Sequence, residues 1–324
     1  MDSSLDPLAA VFRCDDPGAL STALVGGEFE FLPLQGGAIH GTVRLLQAGG
    51  IAMQHAVLGP HVSRNALSRG SQTLLVPISH SAPPPNVNGT TVAAREALLI
   101  MGGVEFHCHC AGDVEWTAVL LPPGLLADAA EIAPAGAFTR GGLTRVAFQG
   151  DALGRLAEVL STAGAFAAHA PHLRSDVASA QALGLSLQDL LLETLTAGVA
   201  TILPSRAARD AQRVVLRAEE FLATRIGQPL YTSELCKALG VSTRKLHNAF
   251  VATVGRSPHA HLKARRLMLA RRALQRGAGD PAQVKVVAYG HGFWHLGRFA
   301  VDYRRMFGET PSQTLAASRR SIGM

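Results

Sequence analysis

The first 205 residues contain no lysine, and aromatic residues make up only 5% of the 324-residue chain. No run of about 18 or more apolar residues occurs, so no membrane-spanning helix is expected. The opening MDSSLDPLAA lacks a basic stretch followed by an apolar one. No secretion signal is therefore expected, and the chain is predicted to stay in the cytoplasm. The four cysteines, Cys14, Cys108, Cys110 and Cys236, suit a reducing compartment in which they remain thiols. A nucleophile elbow, a phosphate-binding loop and a zincin motif are all missing, and catalysis is not expected. An apolar content of 48% excludes wholesale disorder and allows two domains, each with its own core.

Charge is split along the chain. Residues 1–205 hold 9 arginines and 17 acids, a net of −8; residues 206–324 hold 21 basic and 7 acidic residues, a net of +14. Such asymmetry points to a polyanionic partner for the second part. The first part reads as short apolar runs broken by Gly, Pro and Asn: FEFLPL (29–34), GTVRLLQA (41–48), TLLVPI (73–78), EALLIM (96–101) and WTAVLL (116–121). These predict an all-β barrel or sandwich. Residues 1–20 carry no strong pattern and read as a partly ordered arm. Helices are expected over 151–169 and 179–203, the second with a stripe of Leu187, Leu191 and Leu195. That stripe suits a dimer seam and, equally, packing onto the chain's own barrel. On a strand, His107 and His109 of EFHCHC share a face, and with Glu115 they could ligate a divalent metal; the bland alternative is the wall of a small-ligand barrel. No metal is assigned.

The second part is organised around Thr232 to Phe250. Thr232 is read as an N-cap, Leu235 and Leu239 share a face, and Gly240 ends the first helix. Ser242 caps a second helix with Leu246, Phe250 and Val254 inside and Arg244, His247 and Asn248 outside. Arg and Asn on one helical face can bond guanine and adenine edges bidentately in the major groove, so the pair reads as a helix-turn-helix. A long basic helix follows over 257–276. Then the pattern repeats: a short helix over 282–293, and a helix over 294–307 with Phe299, Tyr303 and Phe307 inside and Trp294, Gly297, Arg298, Val301 and Arg305 outside. Trp294 could equally pack against the turn.

From about Arg213 to Leu315, the runs SELCKALGVSTRKLHNAF, GRSPHAHLKARRLMLARRAL and GFWHLGRFAVDYRRMFGETPSQTL resemble the DNA-binding domain of the AraC/XylS family of bacterial transcription regulators. GFWHLGRFAVDY and VSTRKLHNAF resemble, within it, regulators of ethanolamine-utilisation operons. The resemblance implies an α+β chain: an N-terminal cupin-like β barrel with helices (1–203) for ligand sensing and dimerisation, and a C-terminal all-α domain with two helix-turn-helix units (204–324). It implies base reading by Arg244, His247 and Asn248 and by Trp294, Arg298 and Val301; Lys245, Lys263, Arg304 and Arg305 are read as phosphate contacts or, equally, as plain solvated charges. It also implies promoter DNA, RNA polymerase and a small-molecule effector as partners, a possible homodimer and no membrane, and it favours activation over repression. Cofactors are not expected; ethanolamine or a cobalamin as effector is implied by the subgroup alone. A metal-dependent cupin-type enzyme fused to a DNA-binding domain and a ligand-independent repressor stay open as alternatives.

Overall fold

The computed structural model describes the chain except residues 1–7, 35–38, 82, 133–137, 139–141, 170–176, 198–199, 203, 226, 229–230, 277–281 and 323–324. The first half runs β1 (Leu8–Cys14), α1 (Pro17–Ala23), β2 (Gly27–Pro33), β3 (Gly41–Ala48), β4 (Ile51–Leu58), β5 (His61–Leu67), β6 (Gln72–His80), β7 (Asn86–Val87), β8 (Thr90–Thr91), β9 (Glu96–Met101), β10 (Glu105–Cys110) and β11 (Val114–Leu120). It continues with α2 (Leu125–Ile132), β12 (Leu143–Ala147), α3 (Ala152–His169), α4 (Val177–Thr196) and β13 (Ala200–Ile202). The second half is helical: α5 (Arg206–Ala223), α6 (Thr232–Leu239), α7 (Thr243–Val254), α8 (Pro258–Gln275), α9 (Ala282–Gly290), α10 (Leu296–Phe307) and α11 (Pro311–Ile322).

The strands form two sheets, ordered β1-β3-β4-β11-β6-β9-β12-β13 and β2-β5-β10-β7-β8. Among the described residues no ladder joins them, so the sheets face each other as an open sandwich and the expected closed barrel is not formed. The two-residue strands β7 and β8 end the smaller sheet before it can meet the larger. The expected arm also differs. β1 pairs with β3 along its whole length, and Asp16 caps α1 by accepting from the backbone of Gly18 and Ala19. Residues 1–7 of that arm lie outside the described ones.

The chain stacks in layers. Helices α2, α3 and α4 cover the outer face of the larger sheet in one core that contains Met53, Leu74, Val119, Leu156 and Leu160. Leu187, Leu191 and Leu195 belong to it and are fully buried, so the leucine stripe packs on its own chain and is unavailable as a dimer seam. Between the sheets lies a cavity of about 290 Å³. The outer face of the smaller sheet then receives the helical half: Leu32 and Val62 join one apolar core with Val215, Leu246, Phe250 and Leu267. Among the described residues no helix is long and apolar enough to cross a membrane.

Candidate nucleic-acid interface

The first helix pair forms as its local sequence dictates. Gly240 ends α6 at φ 66°, a left-handed conformation that glycine adopts without a side-chain clash. Ser242 caps α7 by accepting from the Lys245 amide at 3.2 Å. The N-cap of α6, however, is Tyr231 with no side-chain cap bond, and Thr232 is the first helical residue. Leu235, Leu239, Leu246, Phe250 and Val254 are buried, which fixes the rotation of α7 and leaves Arg244, Lys245, His247 and Asn248 exposed together.

The second pair is built differently. Phe299, Tyr303 and Phe307 are buried and stack edge to face along α10, and the Tyr303 hydroxyl bonds Thr314 at 2.8 Å. Arg298, Val301, Arg304 and Arg305 are exposed; Val301 is 68% exposed, an unusual position for a valine on a helix. α10 starts at Leu296 with His295 as an N-cap that makes no cap bond. Trp294 therefore stands outside the helix rather than on its face. It stacks on Tyr289 of α9, ring centroids 5.6 Å apart, and remains 56% exposed. Gly297 faces open space. Lys263 is not free: it pairs with Asp302 and so ties α8 to α10. Between the pairs runs a cleft of about 310 Å³ bordered by Lys263, Arg266, Trp294 and Arg298.

The metal hypothesis separates in space. His107 and His109 do share a face of β10, the one turned toward the helical half, whereas Glu115 lies on the other sheet and contacts His55 at 3.2 Å. His107 donates its partner role elsewhere, to a carboxylate the sequence reading passed over. Glu219 of α5 is buried at the junction of the two halves. One of its oxygens lies 2.7 Å from His261 Nε2; the other lies 3.0 Å from Arg265, 3.2 Å from His107 Nε2 and 3.3 Å from Arg64. Burial opposes ionisation, but hydrogen bonds from His107 and His261 and the charge of Arg265 overcome it, holding Glu219 well below the usual carboxylate range. His261 is pulled down by burial against the bond and charge of Glu219. Further pairs surround this cluster: Arg64 with Glu105 at 2.6 Å, Arg265 and Arg272 with Glu30 at 3.2 and 3.0 Å, and Arg271 with Asp16 and Glu309. Part of the basic surplus of α8 is thus neutralised by acids of the first half. The signal for Glu219 was present in the sequence, since it lies four residues after Val215 on the apolar stripe of α5, where an acid needs a buried partner.

The first pair also touches the smaller sheet directly. Gly255, the left-handed cap of α7, lies against His109, and a side chain there would overlap the imidazole. β10 is therefore a shared wall: Phe106, Cys108 and Cys110 line the cavity, while His107 and His109 meet the helices. β5 alternates the same way, with His61, Ser63 and Asn65 on the cavity side and Val62 and Arg64 on the other.

A family profile described as "Helix-turn-helix domain" matches residues 235–317, which span both pairs. The XylDLEGF operon transcriptional activator of Pseudomonas putida is 30% identical over 132 residues, covering 41% of this chain and 40% of that protein. The chain thus matches well under half the length of that relative. The XylDLEGF operon transcriptional activator 2 of the same organism is 30% identical over 126 residues, 39% of this chain and 78% of that protein. The crystal structure of a probable AraC family transcriptional regulator from Rhodopseudomonas palustris has 37% sequence identity over 33% of this chain and 98% of its own, with a TM-score of 0.31. Thirty per cent identity over 78% of the length of the second of these activators, in the stretch that the helix-turn-helix profile also matches, makes the chain a member of the AraC/XylS family of transcription regulators.

Proposed function

We propose that this chain is a ligand-responsive, sequence-specific DNA-binding regulator, acting as an activator, that reads two successive major-groove segments with α7 and α10. The observation that carries the reading is the pairing of two exposed polar helix faces on one helical half, joined by α8. At 18 residues, α8 spans about 27 Å and acts as a stiff spacer. Arg244, His247 and Asn248 bond base edges from α7; on α10, Arg298 does so and Val301 meets a thymine methyl. Trp294 contributes from the turn before α10. Lys245, Arg304 and Arg305 contact phosphates, and Lys263 positions α10 through Asp302. RNA polymerase is the partner an activator bound at a promoter requires.

The effector seat is the cavity between the sheets. A molecule there presses on the inner residues of β5 and β10, whose outer residues Arg64 and His107 hold Glu219 of α5. Ligand binding then shifts the docking of the helical half, because the cavity and the helices share these strands.

The test is a titration of the full-length protein against its own upstream DNA with salt varied, with and without candidate effectors. Ethanolamine and a cobalamin, which the subgroup resemblance implies, are included. Specific binding with a linear loss of log affinity against log salt supports the reading; equal affinity for upstream and scrambled DNA overturns it.

A further inference from the structure

The cavity is notable for the chemistry along its walls. Among the described residues that line it, none carries a charge. Most of the surface is apolar, with Phe31, Leu98, Ile100, Phe106 and Trp116 giving it an aromatic and branched character. The charged residues of the same strands alternate away from it: Arg64 of β5, Glu30 of β2 and Glu105 of β10 all point outward and are paired there. Strand periodicity thus strips the interior of counter-charges.

The larger sheet contributes Gln47, Thr73 and Gln54 to the wall, the last with its amide tied to the backbone of Val25, and the smaller sheet contributes a polar row on β5. His61, Ser63 and Asn65 of β5 follow one another at every second position, and Cys108 of β10 lies opposite Ser63. The Asn65 amide nitrogen donates to Ser63 Oγ at 3.0 Å and approaches Cys108 Sγ at 3.8 Å, which turns the amide so that its carbonyl oxygen is left over. His61 Nδ1 lies 2.8 Å from the Gly59 carbonyl, so Nδ1 bears the proton and donates, and Nε2 is an acceptor. Burial, only partly offset by that bond, lowers the His61 pKa to about 4 and keeps the ring neutral at pH 7. Burial also pushes the Cys108 thiol up to about 12. The row therefore offers acceptors at His61 Nε2 and the Asn65 carbonyl oxygen, keeps the Ser63 hydroxyl beside the protonated Cys108 thiol, and holds no ion.

We infer that the cavity takes a neutral, mainly apolar molecule with one hydrogen-bond donor, seated with that donor against His61 and Asn65, and that it excludes carboxylates and ammonium ions. An ion there would lose its hydration and meet no opposite charge. An aromatic or alicyclic alcohol or amine in its uncharged form has the required shape and polarity. The inference rests on the cavity being the effector seat, but its test does not depend on DNA.

The probes are N-phenyl-1-naphthylamine, neutral with one N–H, and 8-anilinonaphthalene-1-sulfonate, with the same aromatic parts and a fixed negative charge. Trp116 lies in the wall and Trp294 is distant on the second helix pair, so the full-length Trp294→Phe protein reports the cavity through Trp116 alone. The expected result is quenching of Trp116 by the neutral dye at least tenfold tighter than by the sulfonate, competed by 2-naphthol and not by 2-naphthoate. Ala118→Phe, which fills the cavity, removes the binding; wild-type competition by the naphthol and naphthoate pair gives the same answer without relying on that variant. Equal or tighter binding of the sulfonate with Trp116 quenching overturns the inference, as does failure of both dyes to reach Trp116. A protein that binds the neutral dye but no specific DNA refutes the regulator reading and leaves this one standing; specific DNA binding with sulfonate preference does the reverse.

Discussion

The two helix pairs share an inner architecture and differ in almost everything outside it. α7 has a serine cap and an exposed face of Arg244, His247 and Asn248, and its C-terminal end rests on His109 of the smaller sheet. α10 has no side-chain cap, and its face combines Arg298 with Gly297 and the exposed Val301. The first pair thus carries the fuller polar face and touches the cavity wall through β10, and on the proposed reading it discriminates bases more sharply than the second, which is held by aromatic stacking and the Lys263–Asp302 pair.

Removing Glu219 should break this contrast most strongly. Glu219→Leu leaves Arg64, Arg265, His107 and His261 without their shared carboxylate in a buried site, and should destabilise by about 3–5 kcal/mol in urea unfolding. Hydrogen exchange should show protection lost over α5 to α7 and retained over α10. Uniform loss across both pairs would show that the cluster does not act on the first pair in particular.

Acid should act on the same side. The folded pKa of His61, about 4, lies below its unfolded 6.5, so the unfolded chain takes up the proton first. Its contribution is complete above about pH 6.5 and falls as pH drops toward 4, by on the order of 3 kcal/mol. His261, also lowered, adds in the same direction. Glu219, depressed, contributes above its unfolded value of 4.5 and withdraws that support as pH falls further. A denaturation midpoint that does not change between pH 7 and pH 4.5 would contradict the burial of His61.

On DNA, Arg244→Ala should cost about 1–3 kcal/mol on the cognate site and relax the preference there, while Arg305→Ala should weaken all sequences alike and lower the salt slope by about 1. Equal losses on random DNA for both variants would erase the distinction between reader and anchor. The smallest effect is a gain. Gly297 faces open space in a helix, so Gly297→Ala should stabilise the second pair by up to about 1 kcal/mol, seen as a raised Tm.

Most of the helical half was legible because its signals are local. Gly240, Ser242 and the spacing of Leu246, Phe250 and Val254 fix helix ends and inner faces within a few residues of themselves. The first half was legible as strands but not as an assembly, since closure or opening of a sheet depends on partners far apart in sequence. β1 and α1 passed for an arm because an edge strand of only seven residues gives little pattern. Trp294 was assigned to a helix face by extending the helical period two residues beyond the real start of α10. The charge split misled in part: a count of arginines cannot separate exposed ones from Arg265, Arg271 and Arg272 of α8, which face Glu30, Asp16 and Glu219. The sequence could place His107 and His109 on one face of β10, but what that face touches is decided 112 residues later, at Glu219.

The parity of β5 and β10 gives the molecule a natural route to diversification. Changes at 63, 65, 106 or 108 alter what the interior accepts, while 62, 64, 107 and 109 keep the helical half in its seat. On the proposed function, descendants of this chain acquire new inducers by drifting at every second residue, without having to reinvent the contacts that seat the helical half.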